Sequence, residues 1–289
     1  IYTCTVMDAL GCTTSQSVSI TEPPALNVTP SDPAVICAGL SANVSVSAGG
    51  GTPAYAYAWQ PGNVNGTSLN VSPSSTTTYT VTITDANGCT ITSAVNVVVN
   101  PLPVVLFSGI DTTGCAPLCV NFINNTTPAG GTLLWDYGDN TTSSFATSHC
   151  YADPGTYTIK LTVKDANGCV NSSTHTGMVN VYPVPDADFT MDPQTTTILN
   201  TLISFTDMST GDPSFWSWSF GDLQDSQSNI QHPQFTYPPD SASYNVQLVV
   251  TTIHGCKDSI VKTVVIKGEY IVYVPSAFTP NEDGRNELF

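Results

Sequence analysis

Positive charge is what this chain lacks most. Residues 1–159 contain neither lysine nor arginine, and the whole chain has only six bases against 22 acids, a net charge of −16. Phosphate backbones and anionic lipid are bound through clustered Lys/Arg, so this balance excludes nucleic-acid binding and peripheral membrane binding. Charge of either sign is scarce: 10% of residues, against about 25% in ordinary globular chains. Long apolar runs are missing too, and no stretch of 18 crosses a bilayer. Ile1–Cys4 show neither the basic start nor the apolar core of a signal peptide, so the expectation is a chain that begins inside something longer or already processed. Capped segments of helical periodicity are absent as well. What replaces charge is hydroxyl: 41 Thr and 29 Ser keep the chain in water.

A long repeat is present. Tyr79-Thr-Val-Thr-Ile-Thr-Asp85-Ala-Asn-Gly88-Cys89 returns as Tyr157-Thr-Ile-Lys-Leu-Thr-Val-Lys-Asp165-Ala-Asn-Gly168-Cys169, and again as Tyr244 to Gly255-Cys256. An earlier copy runs from Tyr2 to Asp8-Ala-Leu-Gly11-Cys12. The steps between these cysteines are 77, 80 and 87 residues, too long for a solenoid and right for small β-sandwiches in series. In each copy apolar and polar residues alternate, the mark of a half-buried strand, and Asp-Ala-Asn-Gly then supplies a turn. Glu22-Pro23-Pro24, Pro101-Leu-Pro103 and Pro183-Val-Pro185 mark short, stiff joints. The reading is all-β: tandem immunoglobulin-like sandwiches forming an elongated rod. It divides the chain into the end of an earlier repeat (1–24), units at 25–102, 103–184 and 185–268, and a tail at 269–289.

Trp135-Asp-Tyr-Gly-Asp139, followed by Ser148-His-Cys-Tyr151 and Gly155-Thr-Tyr157, resembles the signature of polycystic-kidney-disease-type (PKD) domains. Trp218-Ser-Phe-Gly-Asp222, with Phe235-Thr-Tyr237 and Tyr244, is similar. That family is immunoglobulin-like, which the resemblance therefore implies here. Residues 25–102 resemble related bacterial Ig-like modules, with Trp59-Gln-Pro-Gly62 in place of the Gly-Asp motif. Residues 1–22 are similar to the end of a repeat of the giant gliding adhesin of Bacteroidota. Tyr273-Val-Pro-Ser-Ala-Phe-Thr-Pro-Asn281-Glu-Asp283-Gly284, with Asn286 and Phe289, resembles the opening of the gliding-motility-associated C-terminal domain. That resemblance implies export by the type IX secretion system, with the secretion and surface-attachment machinery as partners of the parent protein and the outer cell surface as its location.

Nine cysteines in such a chain point to disulfides in an oxidising compartment. Cys37 precedes Cys89 by 52 residues and Cys115 precedes Cys169 by 54, so equivalent bridges Cys37–Cys89 and Cys115–Cys169 are expected, with Cys119–Cys150 completing the second unit. A zinc site on Cys115, Cys119, His149 and Cys150 is the rival, but it would strand Cys169. Cys12 is expected to pair outside the chain, Cys4 to face a core, and Cys256 to stay free.

No nucleophile elbow or metal-ligand pair is present, so the chain reads as non-catalytic and needing no cofactor. Asp136 and Asp139 fit a bend between strands, where Asp bonds its own backbone. Asn281, Asp283, Asn286 and Glu287 surround a glycine turn in a way that suits Ca²⁺, with a solvated turn as the plain alternative. Asp111-Thr112, Asp240-Ser241 and Asp258-Ser259 resemble the Asp-Ser/Thr O-glycosylation motif of that phylum, making Thr112, Ser241 and Ser259 candidate glycosylation sites. The expected function is the stalk of a large secreted adhesin-like protein, its glycan or surface ligand held by further domains, with no membrane insertion of its own. Two other readings stand beside it: a polysaccharide-binding accessory module of a secreted hydrolase, with Phe215 as the exposed aromatic, and a subunit of a surface filament.

Overall fold

The structure is a computed structural model that describes residues 1–145 and 147–269. It is all-β. A hairpin of β1 (Tyr2–Met7) and β2 (Thr13–Val18) comes first, and every one of its residues is exposed. The first two-sheet unit contains β3 (Asn27–Pro30), β4 (Ala34–Cys37), β5 (Ala42–Gly49), β6 (Ala56–Gln60), β7 (Ser68–Val71), β8 (Thr77–Thr84) and β9 (Thr90–Asn100). The second contains β10 (Phe107–Ile110), β11 (Thr113–Cys115), β12 (Leu118–Asn124), β13 (Thr132–Asp136), β14 (Thr142–Ser143), β15 (Ser148–Tyr151), β16 (Gly155–Lys164) and β17 (Val170–Tyr182). The third contains β18 (Phe189–Asp192), β19 (Thr195–Thr197), β20 (Leu202–Asp207), β21 (Phe215–Ser219), β22 (Gln227–Ser228), β23 (Gln234–Thr236), β24 (Ala242–Thr251) and β25 (Lys257–Lys267).

The plan repeats. A three-stranded sheet (β3-β5-β7, β10-β12-β15, β18-β20-β23) faces a larger one (β4-β9-β8-β6, β11-β17-β16-β13-β14, β19-β25-β24-β21-β22). Alternation fills the space between them: Trp59, Trp135 and Trp218 are each 1% exposed or less, packed with Val81, Leu161 or Leu248 from the neighbouring strand. Phe215, Ser217 and Ser219 take the outer face of β21, so Phe215 is exposed while Trp216 and Trp218 turn inward.

In the larger sheet, the short edge strand runs parallel to the last strand of its unit: β4 beside β9, β11 beside β17, β19 beside β25. The edge strand therefore ends where the unit ends, next to the joint that leads onward. The turn before the last strand lies at the opposite end, beside the joint that leads in.

Candidate functional site at the joints between units

Each inward-facing turn is built the same way. In the first unit the Asp85 amide donates to the Cys89 carbonyl, and the Asp85 carboxylate accepts from the amides of Asn87 (3.0 Å) and Cys89 (2.8 Å). Asp165 holds Asn167 and Cys169 in the same way, and Asp8 holds Leu10 and Cys12. In the third unit Thr252 substitutes, its hydroxyl accepting from the Cys256 amide. The glycine before each cysteine has φ between +82° and +85°, a left-handed conformation that L side chains rarely adopt. Asp85 gains one more donor, the Thr52 amide at 2.9 Å. That amide, with those of Cys89 and Asn87, holds its carboxyl below the usual range despite burial.

Each onward-facing edge strand ends alike too. Cys37 lies opposite Asn100 and Cys115 opposite Tyr182, and the next amide, of Ala38 or Ala116, donates back to the same carbonyl. Thr197 holds this position in the third unit, opposite Lys267.

These two ends meet across the joints. Cys37 of the first unit is bonded to Cys169 of the second (Cα–Cα 5.6 Å), and Cys115 of the second to Cys256 of the third (5.5 Å). Cys169 and Cys256 are 0% and 1% exposed. At the second joint Tyr182 also stacks on His254 with ring centroids 3.6 Å apart and planes within 3°. Ile253, Pro183 and Gly211 line a shallow pocket beside this pair.

The expected bridges Cys37–Cys89 and Cys115–Cys169 do not form, and Cys256 is not free. Topology is the reason. Cys37 aligns with Asn100 at one end of β9 and Cys89 precedes its other end, a separation of roughly 35 Å at about 3.3 Å per residue. A disulfide needs Cα atoms within about 7 Å. The same holds for Cys115 and Cys169 along β17. The signal that would have found the pairing was in the sequence: Cys256 lacks a partner in its own unit, and shifting every pair by one unit supplies it. Cys119 and Cys150 are bonded within the second unit, directly opposite each other on β12 and β15. With Cys115 and Cys119 in separate disulfides, the zinc set is dissolved. Among the described residues, no three His, Cys, Asp or Glu gather as metal ligands.

His149 instead pairs with Asp139. Its Nε2 lies 2.6 Å from the carboxylate, and its ring is stacked on Tyr137 at 4.2 Å and met edge-on by Tyr151. Of the glycosylation candidates, Ser241 and Ser259 are exposed and Thr112 is half-buried. Asn281, Asp283, Asn286 and Glu287 lie outside the described residues.

Comparison with known proteins gives two successive matches to one domain family. Residues 100–181 and 180–267 each match the PKD domain. Collagenase ColA of Bacillus cereus is 38% identical over 71 residues, which are 24% of this chain and 7% of the collagenase. Among solved structures, the PKD1 domain of Vibrio anguillarum Epp is 20% identical with a TM-score of 0.26, covering 30% of this chain and 96% of that domain. The N-terminal eight Ig domains of Down Syndrome Cell Adhesion Molecule are 14% identical with a TM-score of 0.47, over 93% of this chain and 39% of theirs. With two successive matches that span more than half its length, the chain belongs to the PKD domain family.

Proposed function

We propose that this chain is a stretch of the stalk of a large adhesin-like protein displayed on the outer surface of a bacterium of the Bacteroidota. The observation that carries the reading is the covalent bond from each unit to the next. A joint made of one proline-bearing linker can bend about that linker. A joint with a second attachment, at Cys37–Cys169 or Cys115–Cys256, keeps far less freedom. Such joints transmit force and hold distance, which is what a stalk does. Disulfides of this kind belong to an extracellular setting. The tail's resemblance to a gliding-motility-associated C-terminal domain supports export and attachment through type IX machinery. No reaction is assigned to this stretch, and no ion or other cofactor is needed for the role.

Small-angle scattering on the oxidised chain tests it. Three sandwiches in line, each about 35–40 Å long, should give a radius of gyration of about 30–35 Å, unchanged with concentration. A value near 19 Å, as for one compact 289-residue domain, would defeat the stalk reading.

The stretch of identity to a collagenase favours a second reading, an accessory module of a secreted hydrolase. Exposed Phe215 would then be an aromatic contact for an extended substrate such as a polysaccharide. Retention of the chain on insoluble polysaccharide, lost in Phe215→Ala, would favour it over the stalk.

A further inference from the structure

Cys89 occupies the position of Cys169 and Cys256 but is unbonded. Its turn shares with theirs the backbone bond from the residue four positions earlier to the cysteine carbonyl and the bond from the cysteine amide back to that residue's side chain, so the backbone places its Cβ in the same way. Where they are sealed by the preceding unit, Cys89 is exposed and unpaired among the described cysteines. Beside it is a notch formed with Pro24, Leu26, Gly51 and Asn87. At the next joint the corresponding place is lined by Cys37, Ala38, Gly39 and Leu40 of one unit against Gly168 and Val170 of the other.

The preceding hairpin tells what should occupy that notch. By the repeat, Cys4 and Val6 of β1 align with Val81 and Ile83, Leu161 and Val163, and Leu248 and Val250. All six of those are 0% exposed, whereas Val6 is 61% exposed and Tyr2, ahead of them on the same face, is 71% exposed. The hairpin thus presents a core-patterned face that, among the described residues, nothing covers. Cys4 is placed for that core, and Cys12 repeats the role of Cys89 one unit earlier. Neither is at the end of a parallel edge strand, the position both observed joint bonds use.

We propose that Cys89 forms a third inter-unit disulfide, to a cysteine that closes the parallel edge strand of the immunoglobulin-like unit whose last hairpin is β1–β2, and that Cys12 bonds the corresponding cysteine one unit further back. The bond links two thiols and releases two protons and two electrons. A disulfide oxidant takes the electrons: the edge cysteine first forms a mixed disulfide with it, and the Cys89 thiolate then attacks that sulfur and displaces the oxidant's second thiolate. The ladder has a defined stop. Thr197 replaces the edge cysteine in the third unit, so no bond of this type leaves toward the tail. The inference rests on the two observed bonds and goes beyond the stalk reading without depending on it.

The test is a non-reduced peptic map of the intact protein from its host, with free thiols alkylated before extraction. The Cys89 peptide should be joined to a peptide that precedes residue 1 and whose cysteine aligns with Cys37 and Cys115, and reduction should separate the two. Cys37–Cys169 and Cys115–Cys256 in the same map are the reference. Cys89 recovered alkylated, or bonded to Cys4, to Cys12 or to a cysteine at any other position, would overturn the proposal. So would absence of the reference pairs, because the shared geometry would then be gone. A separate measurement uses the 289-residue chain: Cys89 should be alkylated there without reductant, while Cys169 and Cys256 stay unlabelled. Equal labelling of all three would also overturn it.

Discussion

Two buried or half-buried carboxylates show how a chain with so little charge uses what it has. Asp207 is 8% exposed and accepts from Trp216 Nε1 (2.7 Å), Gln231 Nε2 (3.0 Å) and the Ser209 amide (3.0 Å). Burial raises its carboxyl, but these donors outweigh it, and the net position is below the usual range. Asp139 behaves alike, with burial opposed by Thr141 and His149. A depressed carboxyl stabilises the fold above the unfolded value, near 4, and that contribution is lost as pH falls through the folded value. Urea unfolding between pH 7 and 3 should therefore show the third unit flat down to about pH 5 and weakening below about 4. Asp207→Ala should lose about 2 kcal/mol at pH 7, since it strands buried donors, and should flatten the acid limb. An unchanged acid limb in the variant would assign the effect to other groups.

At the scale of single elements, the glycines of the Trp-x-Tyr/Phe-Gly-Asp motif have a definite job. Gly138 and Gly221 have φ of +78° and +71°. A Cβ on Gly138 would sit 2.5 Å from the Thr158 carbonyl oxygen of β16, and one on Gly221 would meet the Asn245 carbonyl oxygen of β24. The strand thus bends away hard against its neighbour's backbone, immediately after the core residues Tyr137 and Phe220. The bend also exposes their carbonyls to the buried hydroxyls of Tyr151 (3.1 Å) and Tyr237 (2.9 Å). Burial pushes both phenols well above their ordinary pKa. Gly138→Ala and Gly221→Ala should each cost about 2–3 kcal/mol by chemical denaturation, from the strained φ together with the clash. Tyr237→Phe should cost about 1–2 kcal/mol, the share of one buried hydrogen bond. Full stability in either alanine variant would mean the bend is not fixed as described.

At the scale of the whole molecule, the joint bonds close loops of 132 and 141 residues, each embracing parts of two units. In the chain-entropy model each removes roughly 5 kcal/mol of freedom from the unfolded chain. Neighbouring units should therefore unfold together while the bonds hold. Replacing Cys37 and Cys169 together by serine should lower the melting temperature of the first two units and resolve a separate calorimetric transition for the first. A thermogram identical to that of the parent chain would show that the bond adds no coupling.

Much was legible in the residues alone. Alternation in 157–163 marked a strand whose inner face is Ile159, Leu161 and Val163, all 0% exposed, and Asp-Ala-Asn-Gly marked the turn that follows. Period-two patterning and positive-φ turn chemistry are local, so an all-β chain of repeated sandwiches could be read from the residues, whereas the burial of Trp59, Trp135 and Trp218 between the sheets is a finding of the structure. The cysteine pairing was not local. Near-equal spacings of 52 and 54 residues suggested bridges inside units, because spacing along a chain says nothing about direction in space. The pairing follows from strand direction in the folded chain: β4 and β11 lie parallel to the last strands of their units, which carries Cys37 and Cys115 a full strand length from the turns of their own units and brings them against the turns of the next.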